Sequence, residues 1–276
     1  MKNLAVLLTV HNRREKTLAC LSRLFSMKTE AWTVDVYLTD DGCTDGTPEE
    51  VSARFPGVVI VKGDGSLYWN RGMLTAWRRA VSEKDYDAYL WLNDDTILEE
   101  GALGELLAAS EQHPEALISG ATRSAVTGEV TYGGFDSRER QLAPDGTFRH
   151  CATVNGNIVL VSRYVFDRLG YLDPVFTHCM GDVDYGLRAN EAGIKVLLMP
   201  RYCGTCERNA STPKWRDPSV PFPKRLRALW HPLSYSRPPE WFHYKRRHAG
   251  LLAACLSMGS IALNVISPKL WKKLRR

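Results

Sequence analysis

The stretch Leu4-Ala5-Val6-Leu7-Leu8-Thr9-Val10-His11-Asn12 joins a nearly continuous apolar run to the polar residues that end it. An unbroken run of this length is typical of a parallel strand that is covered on both faces. Apolar runs and helical segments then alternate as far as about residue 111. This order predicts an α/β fold with a mostly parallel sheet and helices on both faces.

The type of each segment follows from the spacing of its apolar residues. Short apolar runs predict strands, and apolar residues that recur every three or four positions, as in Leu18, Leu21 and Leu24, predict helices. The predicted strands are Leu4–Val10, Val34–Leu38, Val58–Val61 and Ala88–Leu92, and the predicted helices are Glu15–Met27, Pro48–Phe55, Met73–Val81 and Glu100–Glu111.

Polar residues stand at the end of each predicted strand. The clusters are Thr9-Val10-His11-Asn12, Asp40-Asp41-Gly42, Gly63-Asp64-Gly65 and Asn93-Asp94-Asp95. Each cluster alone is compatible with a turn, since Asp, Asn and Gly are common turn residues. Ligands of open α/β sheets, however, bind beyond the carboxyl ends of the strands. Several acidic clusters along one edge indicate a binding site, because like charges repel unless a cation or hydrogen bonds offset them.

The carboxylates suggest what this site binds. Asp94 and Asp95 directly follow an apolar strand, and adjacent hard oxygen ligands suit Mg²⁺ or Mn²⁺ together with substrate phosphates. Asp40 and Asp41 follow the second strand, where an acid commonly binds a ribose hydroxyl or a base. A dinucleotide fold would need G-x-G-x-x-G after the first strand, and His11-Asn12-Arg13 stands there instead. A nicotinamide-dependent enzyme is therefore excluded.

On these residues the chain resembles the family 2 glycosyltransferases, inverting enzymes of the GT-A fold that use nucleotide-diphosphate sugars. The likeness covers about residues 3–209. The resemblance implies a Rossmann-like GT-A catalytic domain over residues 1–212, with a nucleotide-binding half to about residue 100 and an acceptor-binding half after it. The motifs are Val6-Leu7-Leu8-Thr9-Val10-His11-Asn12-Arg13, Asp40-Asp41-Gly42-Cys43-Thr44-Asp45-Gly46-Thr47, Trp69-Asn70-Arg71-Gly72-Met73, Asn93-Asp94-Asp95 in the position of the DXD motif, Asn155-Gly156-Asn157, and Gly181-Asp182-Val183-Asp184-Tyr185-Gly186-Leu187-Arg188.

The resemblance also implies a role for individual residues. Asp182 would be the general base, and Asp95 would bind the Mg²⁺ or Mn²⁺ that bridges the two donor phosphates. An inverting transfer needs one carboxylate to take the proton of the acceptor hydroxyl while the metal neutralises the leaving diphosphate. The donor would contact Thr9, His11, Asp41, Asp64, Asn70 and Asp94, and the acceptor would contact Trp69, Asn155 and Gly156.

Two positions depart from the family pattern. Gly181 precedes Asp182, where many members carry Glu. No histidine follows in residues 203–209 to complete the metal or phosphate shell, so contact with the diphosphate would fall to Arg208, Arg13 or the basic tail.

The segment Cys203-Gly204-Thr205-Cys206 has the C-x-x-C form of a zinc motif. A closed zinc site would need a second such pair, and the sequence has none.

Other residues near the motifs have structural alternatives. Asp184 suits the first turn of a helix, where an acid interacts favourably with the helix dipole. Arg188 stands four residues later and is a candidate ion-pair partner for Asp184. Trp69 could stack on a sugar of the donor or acceptor, or pack beneath the site.

Charge divides the chain into two parts. Residues 214–276 contain 14 Lys/Arg against two acids, whereas residues 1–213 contain 22 Lys/Arg against 29 acids. The 276-residue chain is 44% hydrophobic and 24% charged, which excludes disordered, collagen-like and disulfide-scaffold proteins. Seven scattered cysteines predict reduced thiols in a cytoplasmic protein, and Leu4–Val10 is too short for an export signal.

The basic part, residues 213–276, is predicted to be a helical extension. Lys224–Trp230 is a basic amphipathic segment, and Ala249–Ile266 is a largely apolar helix about 27 Å long at 1.5 Å per residue. This combination suits the surface of an anionic membrane. Packing on the body or on a second subunit is an alternative, and a membrane span would be at the lower limit of length.

The sequence therefore predicts a metal-dependent inverting glycosyltransferase of bacterial surface-polysaccharide (O-antigen) type, acting on a glycan or lipid-linked acceptor at the inner face of the cell membrane. A nucleotidyltransferase of similar fold stays open, although it would carry a glycine-rich loop where residues 9–12 have no glycine. A non-catalytic protein that binds membrane or nucleic acid through its basic tail also stays open. No nucleic-acid partner is expected, because the acidic body would repel phosphates.

Overall fold

The N-terminal apolar run forms the strand β1 (Lys2–Val10), whose residues 4–8 are fully buried. In this computed structural model, which describes residues 1–29, 31–208 and 213–274, β1 lies inside a mixed sheet. It pairs in parallel with β2 (Trp32–Asp40) on one side and with β4 (Ala88–Leu92) on the other. Buried apolar residues pack on both of its faces, which explains its continuous apolar sequence.

The sheet continues on both sides of these three strands. Its order is β3-β2-β1-β4-β11-β6-β12-β5, with β7 paired to β6 and β9 paired to β12. On the main path β11 and β5 run opposite to their neighbours, and the other strands share one direction. The remaining strands are β3 (Val58–Lys62), β5 (Ile97–Leu98), β6 (Leu117–Arg123), β7 (Val130–Tyr132), β8 (Gly134–Phe135), β9 (Arg149–His150), β10 (Thr153–Val154), β11 (Ile158–Ser162) and β12 (Val196–Thr205).

Helices cover both faces of the sheet, as the sequence predicts. Even-numbered residues of β1 pack with α1 and α4, whereas Ala5 and Leu7 of the same strand pack with α3 and α6. The predicted α/β class is therefore confirmed. The helices of this part are α1 (Arg14–Phe25), α2 (Thr47–Arg54), α3 (Tyr68–Glu83), α4 (Ala102–Gln112), α5 (Arg163–Leu169) and α6 (Gly181–Glu191).

Helix α3 begins at Tyr68, five residues before the start that the sequence predicts. The backbone N–H of Tyr68 donates to the Asp41 side chain over 2.8 Å, so a residue from the end of β2 caps this helix. A cap supplied from a distant part of the chain satisfies a helix-terminal N–H as well as a local cap does. No local signal near residue 68 marks this start.

The chain forms two compact units. The first contains Met1–Pro174 and Gly181–Arg208, and the second contains Val175–Met180 and the C-terminal residues from 213 onward. The predicted domain boundary between residues 212 and 213 falls beside residues 209–212, which lie outside the described residues. Within the second unit, Thr177 donates a hydrogen bond to the buried Glu240 carboxylate over 2.8 Å.

The second unit is helical, with α7 (Phe222–Trp230), α8 (Pro238–Ile266) and α9 (Pro268–Leu274). Its small core contains Trp215, Leu229, Ile261 and Val265. By length and composition alone α8 could cross a membrane, and 22% of its most apolar stretch is buried. Gly250, at φ 87°, interrupts the helix.

Candidate active site

Arg13, at the end of β1, contacts both carboxylates that follow β4. Its Nη1 lies 3.3 Å from Asp94 Oδ1 and 2.9 Å from Asp95 Oδ2, and Lys16 Nζ lies 3.8 Å from the same Asp95 oxygen. The two acidic side chains are only 8% and 5% exposed. One carboxylate oxygen from each of these two neighbouring residues thus approaches the same guanidinium nitrogen of Arg13. The acidic pair therefore already stabilises one positive charge.

Burial dominates the electrostatics of this acidic pair. Desolvation, together with the charge of Asp95, raises the pKa of Asp94 to about 6, although the charge of Arg13 opposes the rise. Thr17 Oγ1 lies 3.4 Å from Asp94 Oδ2, a long contact that leaves much of the carboxylate available. A divalent cation would relieve the repulsion between the Asp94 and Asp95 carboxylates, which contributes to the raised pKa of Asp94.

The donor set at this point fits a hard divalent cation. Carboxylate oxygens suit Mg²⁺ and Mn²⁺, which take their remaining ligands from substrate phosphates and water. In the described part of the chain no three His, Cys, Asp or Glu side chains form a closed metal cluster. Asp94 and Asp95 therefore offer oxygen ligands of the kind that such a cation takes.

Cys206, at the end of β12, occupies the place where the family pattern suggests a late histidine. Its Sγ donates to Asp95 Oδ1 over 3.5 Å, and Asn157 Nδ2 donates to its sulfur over 3.4 Å. Burial, with the charge of Asp95, raises the pKa of Cys206 to about 12. The S–H of Cys206 therefore holds one carboxylate oxygen of Asp95 in place. Sequence reasoning missed this role, which only the pairing of distant strands reveals.

Asp41, predicted to bind the donor, is 3% exposed and holds a loop of backbone N–H groups. Its Oδ1 accepts from Gly65 and Leu67 over 2.9 and 3.1 Å, and its Oδ2 accepts from Tyr68. The Asp41 carbonyl lies 2.6 Å from His11 Nδ1. The Asp41 carboxylate therefore shapes the site by fixing the start of α3.

Two other predicted donor-binding residues lie at the same edge. Thr9 is half-buried beside α3, where a Cβ atom on Gly72 would lie 2.1 Å from its Oγ1. Asp64 is exposed, and its carboxylate accepts from the hydroxyl and N–H of Ser66 over 2.7 and 2.8 Å. The bond from the hydroxyl is the main reason that the pKa of Asp64 is lowered.

Trp69 connects the acidic cluster to the other half of the unit. Its Nε1 donates to Asn93 Oδ1 over 2.7 Å, directly before Asp94. Its ring edge lies so close to Gly156 that a Cβ atom there would be 2.2 Å from a ring carbon. Asn155, the preceding residue, accepts from the N–H of Asn157 over 3.2 Å. Trp69 is therefore half-buried between Asn93 and Gly156.

Asp182 lies at the start of α6 and contacts the backbone of the same Gly156. Its Oδ2 accepts from the Gly156 N–H and its Oδ1 from the Val183 N–H, both over 2.8 Å. Burial raises the pKa of Asp182, and these backbone hydrogen bonds oppose the rise. A carboxylate with a raised pKa and fixed orientation is suited to accept a proton.

Gly181 has a steric reason to be glycine. A Cβ atom at this position would lie 1.7 Å from Asn70 Oδ1. Asn70 is fully buried, and its Nδ2 donates to the Asp173 carbonyl over 2.9 Å. The amide of Asn70 therefore occupies the space that a glutamate at position 181 would need, which accounts for the departure from the family pattern.

The predicted Asp184–Arg188 pair is confirmed. Arg188 Nε donates to the fully buried Asp184 carboxylate over 2.8 Å, and the guanidinium also donates to the carbonyls of Leu169 and Tyr171. This network ties α6 to the end of α5. Arg208, considered for phosphate binding, instead donates to the carbonyls of Val130 and Thr131.

A continuous series of contacts thus joins Asp94 to Asp182 through Asn93, Trp69 and Gly156. Acidic side chains at the carboxyl ends of parallel strands, joined in this way to a further carboxylate, are the kind of site that phosphate-handling transferases use. The family model described as "Glycosyl transferase family 2" matches residues 5–170, and the chain belongs to this family.

Relatives with curated descriptions support this membership. In two strains of Mycobacterium tuberculosis, an N-acetylglucosaminyl-diphospho-decaprenol L-rhamnosyltransferase is 27% identical to this chain over 201 residues. That match covers 60% of this chain and 64% of the relative. The chain thus matches less than two thirds of the length of these relatives.

Solved structures share the fold at low sequence identity. The mannosyltransferase PcManGT from Pyrobaculum calidifontis, in complex with GDP-Man and Mn²⁺, has a TM-score of 0.54 at 15% identity, over 98% of this chain and 82% of that chain. TarS 1-349 from S. aureus has a TM-score of 0.56 at 14% identity, over 93% and 72% of the respective chains. The predicted GT-A fold is therefore confirmed.

The close approach of Gly181 to Asn70 can be tested by substitution. Gly181→Ala should destabilise the protein by about 1–3 kcal/mol, because the new methyl group overpacks a full site. The measurement is chemical unfolding followed by circular dichroism. Gly104→Ala, in α4 with open space around it, is the matched control and should be neutral or slightly stabilising. Asn70→Ala should rescue much of the loss in the double variant, and full additivity of the two changes would contradict the steric explanation.

Proposed function

We propose that this protein is an inverting glycosyltransferase that moves a sugar from a nucleotide-diphosphate sugar to a hydroxyl group of a glycan or lipid-linked acceptor. The observation that carries the proposal is the series of contacts from the Asp94–Asp95 pair to Asp182. This arrangement holds a cation-binding point and a candidate base on one rigid wall, through Trp69 and Gly156. Fixed geometry between such groups is what a transfer reaction requires.

Asp182 is proposed as the general base. Its carboxylate takes the proton of the acceptor hydroxyl as the hydroxyl oxygen bonds to the anomeric carbon of the sugar. The bond from that carbon to the diphosphate oxygen breaks on the opposite side, so the configuration inverts and the nucleoside diphosphate leaves with the bonding electron pair. The raised pKa of Asp182 makes its carboxylate a stronger base than an exposed aspartate.

The acidic pair is proposed to hold the divalent cation, with Asp95 as the metal ligand and Asp94 beside it at the donor. When bound, Mg²⁺ or Mn²⁺ would neutralise the charge that develops on the leaving diphosphate. Arg13 and Lys16 lie within 4 Å of Asp95 and contribute further positive charge at this point. These two side chains are proposed to bind donor phosphate oxygens, in place of the late histidine.

The remaining residues are proposed to position the substrates. Thr9 and His11 lie at the end of β1 and would contact the nucleoside, while Asp41 shapes its pocket through the loop that it holds. Asp64 is proposed to complete the donor side, whereas Asn70, which is fully buried, is proposed to support the site from behind through Asp173 and Gly181. Trp69, Asn155 and Gly156 are proposed to form the wall on the acceptor side, which connects the acidic pair to Asp182.

The acceptor is proposed to be lipid-linked, and the enzyme to bind the inner face of the cell membrane peripherally. The named relatives act on a diphospho-decaprenol acceptor. The second unit of this chain is strongly basic, and α8 exposes an apolar face that includes Leu251, Leu252 and Leu256, each more than 60% exposed. Exposed leucines beside basic residues are typical of a helix that lies in a membrane interface.

Replacement of Asp182, the proposed base, should slow the chemical step and leave donor binding unchanged. Asp182→Asn should lower kcat by about 10²–10⁴ with little change in donor affinity, because the amide cannot accept the proton. Wild-type kcat should fall as the pH drops through the raised pKa of Asp182, since only the carboxylate is active, and the variant should lose this acidic limb. Initial rates across pH measure both effects. The control is Asp145→Asn, which changes an exposed aspartate in a loop. If Asp182→Asn kept its turnover, the assignment of Asp182 as the base would be wrong.

The donor and the metal can be identified together by thermal unfolding. A panel of UDP, dTDP, GDP and CDP and their sugars, with and without Mn²⁺ or Mg²⁺, should contain one nucleotide that raises Tm only with metal. A ligand at 100 times its Kd stabilises by about 2.7 kcal/mol, which moves Tm by several degrees. Asp95→Asn should keep the Tm of the unliganded protein within a few degrees and lose the metal-dependent increase. A full increase in Asp95→Asn, or none in the wild type, would contradict the proposed site.

Membrane binding should depend on the apolar face of α8. The double variant Leu251→Gln/Leu252→Gln should bind both neutral and anionic vesicles at least about tenfold more weakly, because each buried leucine contributes about 1.5–3 kcal/mol. Vesicle flotation gives the partition coefficient. Val126→Gln, which changes an 86% exposed residue of the first unit, is the matched control. Equal partitioning of all three proteins would exclude insertion of this face.

A further inference from the structure

The second unit contains a cavity of about 350 Å³ that the proposed transfer reaction does not use. Trp215, Trp241 and Trp271 line it. Two of the indoles are fixed by hydrogen bonds, since Trp241 Nε1 donates to Ser257 Oγ over 3.2 Å and Trp271 Nε1 donates to Ser260 Oγ over 2.8 Å. The aromatic lining is therefore held in place by side chains of α8.

Positive charge lies on this aromatic lining. The guanidinium of Arg216 lies 4.6 Å from the ring centre of Trp215, and Lys245 Nζ lies 5.0 Å from that of Trp241. Both cations belong to the cavity lining, and no carboxylate is among the described lining residues. A cavity with this charge favours an anionic ligand, and Lys and Arg are the usual phosphate ligands of proteins.

Asn264 supplies a second, independent sign of a ligand. It lines the cavity, is 2% exposed, and its Oδ1 has no hydrogen-bond partner among the described residues. A buried acceptor without a donor costs free energy, so such atoms are uncommon unless a ligand or water satisfies them. A hydroxyl group on the ligand would donate the missing hydrogen bond.

Leu256 indicates where such a ligand comes from. It lines the cavity and is also 67% exposed on the apolar face of α8 proposed to enter the membrane. The cavity is thus continuous with a surface suited to hydrocarbon, and its volume is near the lower end for small-ligand pockets. A lipid head group fits this volume, with its chains outside.

We propose that this cavity binds a lipid-borne phosphate whose substituent carries hydroxyl groups. Arg216 and Lys245 bind the phosphate, the tryptophan rings contact the carbon faces of the substituent, and Asn264 Oδ1 accepts a hydrogen bond from a hydroxyl. Both a glycerol phosphate head of a membrane phospholipid and the sugar diphosphate head of a polyprenol-linked acceptor have this chemistry. The inference rests on the proposed membrane location but not on the transfer chemistry.

The test compares lipids of equal charge in flotation assays with the full-length protein. Vesicles of phosphatidylcholine carry phosphatidylglycerol or the same molar fraction of phosphatidylmethanol, which lacks the hydroxyls, or half that fraction of a polyprenyl-diphosphate sugar, which carries two charges per molecule. The wild type should prefer phosphatidylglycerol or the polyprenyl lipid over phosphatidylmethanol by about tenfold, the value of one or two hydrogen bonds. Whichever lipid is preferred identifies the source of the head group.

Variants separate the cavity from general surface charge. Lys245→Met and Asn264→Leu should abolish the preference, and Lys245→Met should also weaken binding to every anionic vesicle. Arg246→Met, the matched control on the neighbouring exposed residue, should lower binding to all anionic vesicles about fivefold and keep the preference. If Asn264→Leu proves unstable, Lys245→Met decides the test. Its Tm should equal that of the wild type, which would show that the variant is folded.

Two results would overturn the proposal. One is equal binding of the wild type to phosphatidylmethanol and to both hydroxylated lipids, and the other is an unchanged preference in Lys245→Met. In both cases partitioning through the leucines of α8, and sugar transfer to a soluble acceptor, can still be measured in the same preparations. Failure of the head-group site is therefore distinguishable from failure of the proposed function.

Discussion

The carboxylate of Asp41 is the interaction on which the site depends. It accepts three backbone N–H bonds from Gly65, Leu67 and Tyr68, and these bonds hold the loop that leads into α3. Charged acceptors make stronger hydrogen bonds than neutral ones, especially when they are buried. Without this anchor the first turn of α3 would have no fixed place beside the ends of β1 and β4, and the residues that it carries could not meet their partners.

The start of α3 approaches other parts of the unit so closely that glycine is needed at each contact. Thr9 lies against Gly72 of α3 itself, the ring of Trp69 lies against Gly156, and the amide of Asn70 lies against Gly181. None of these approaches would be possible if the glycine carried a side chain, because its Cβ atom would overlap the neighbouring residue. The proposed donor and acceptor sides are therefore held together by backbone contact, which leaves little freedom for the wall between them.

Much of this arrangement could be predicted from the sequence, because strand periodicity and polar strand ends are local properties. The strands β1 to β4, the helices that cover them and the Asp184–Arg188 pair all follow from local spacing. The start of α3 could not be predicted, since its cap comes from the end of β2. The place of Cys206 beside Asp95 was equally inaccessible, because it depends on the pairing of β12 with β6 and of β11 with β4.

If the protein binds a membrane as proposed, the interruption of α8 at Gly250 limits how deeply it would reach into the bilayer. The helical residues after it, 251–266, would extend about 24 Å at 1.5 Å per residue, less than the roughly 30 Å of a hydrocarbon core. A helix of this length is too short to cross the core, and one that lies along the membrane surface, as proposed here, contacts a single leaflet. An enzyme held in this way is confined to one side of its membrane, so a product needed on the opposite side would depend on a separate translocation step.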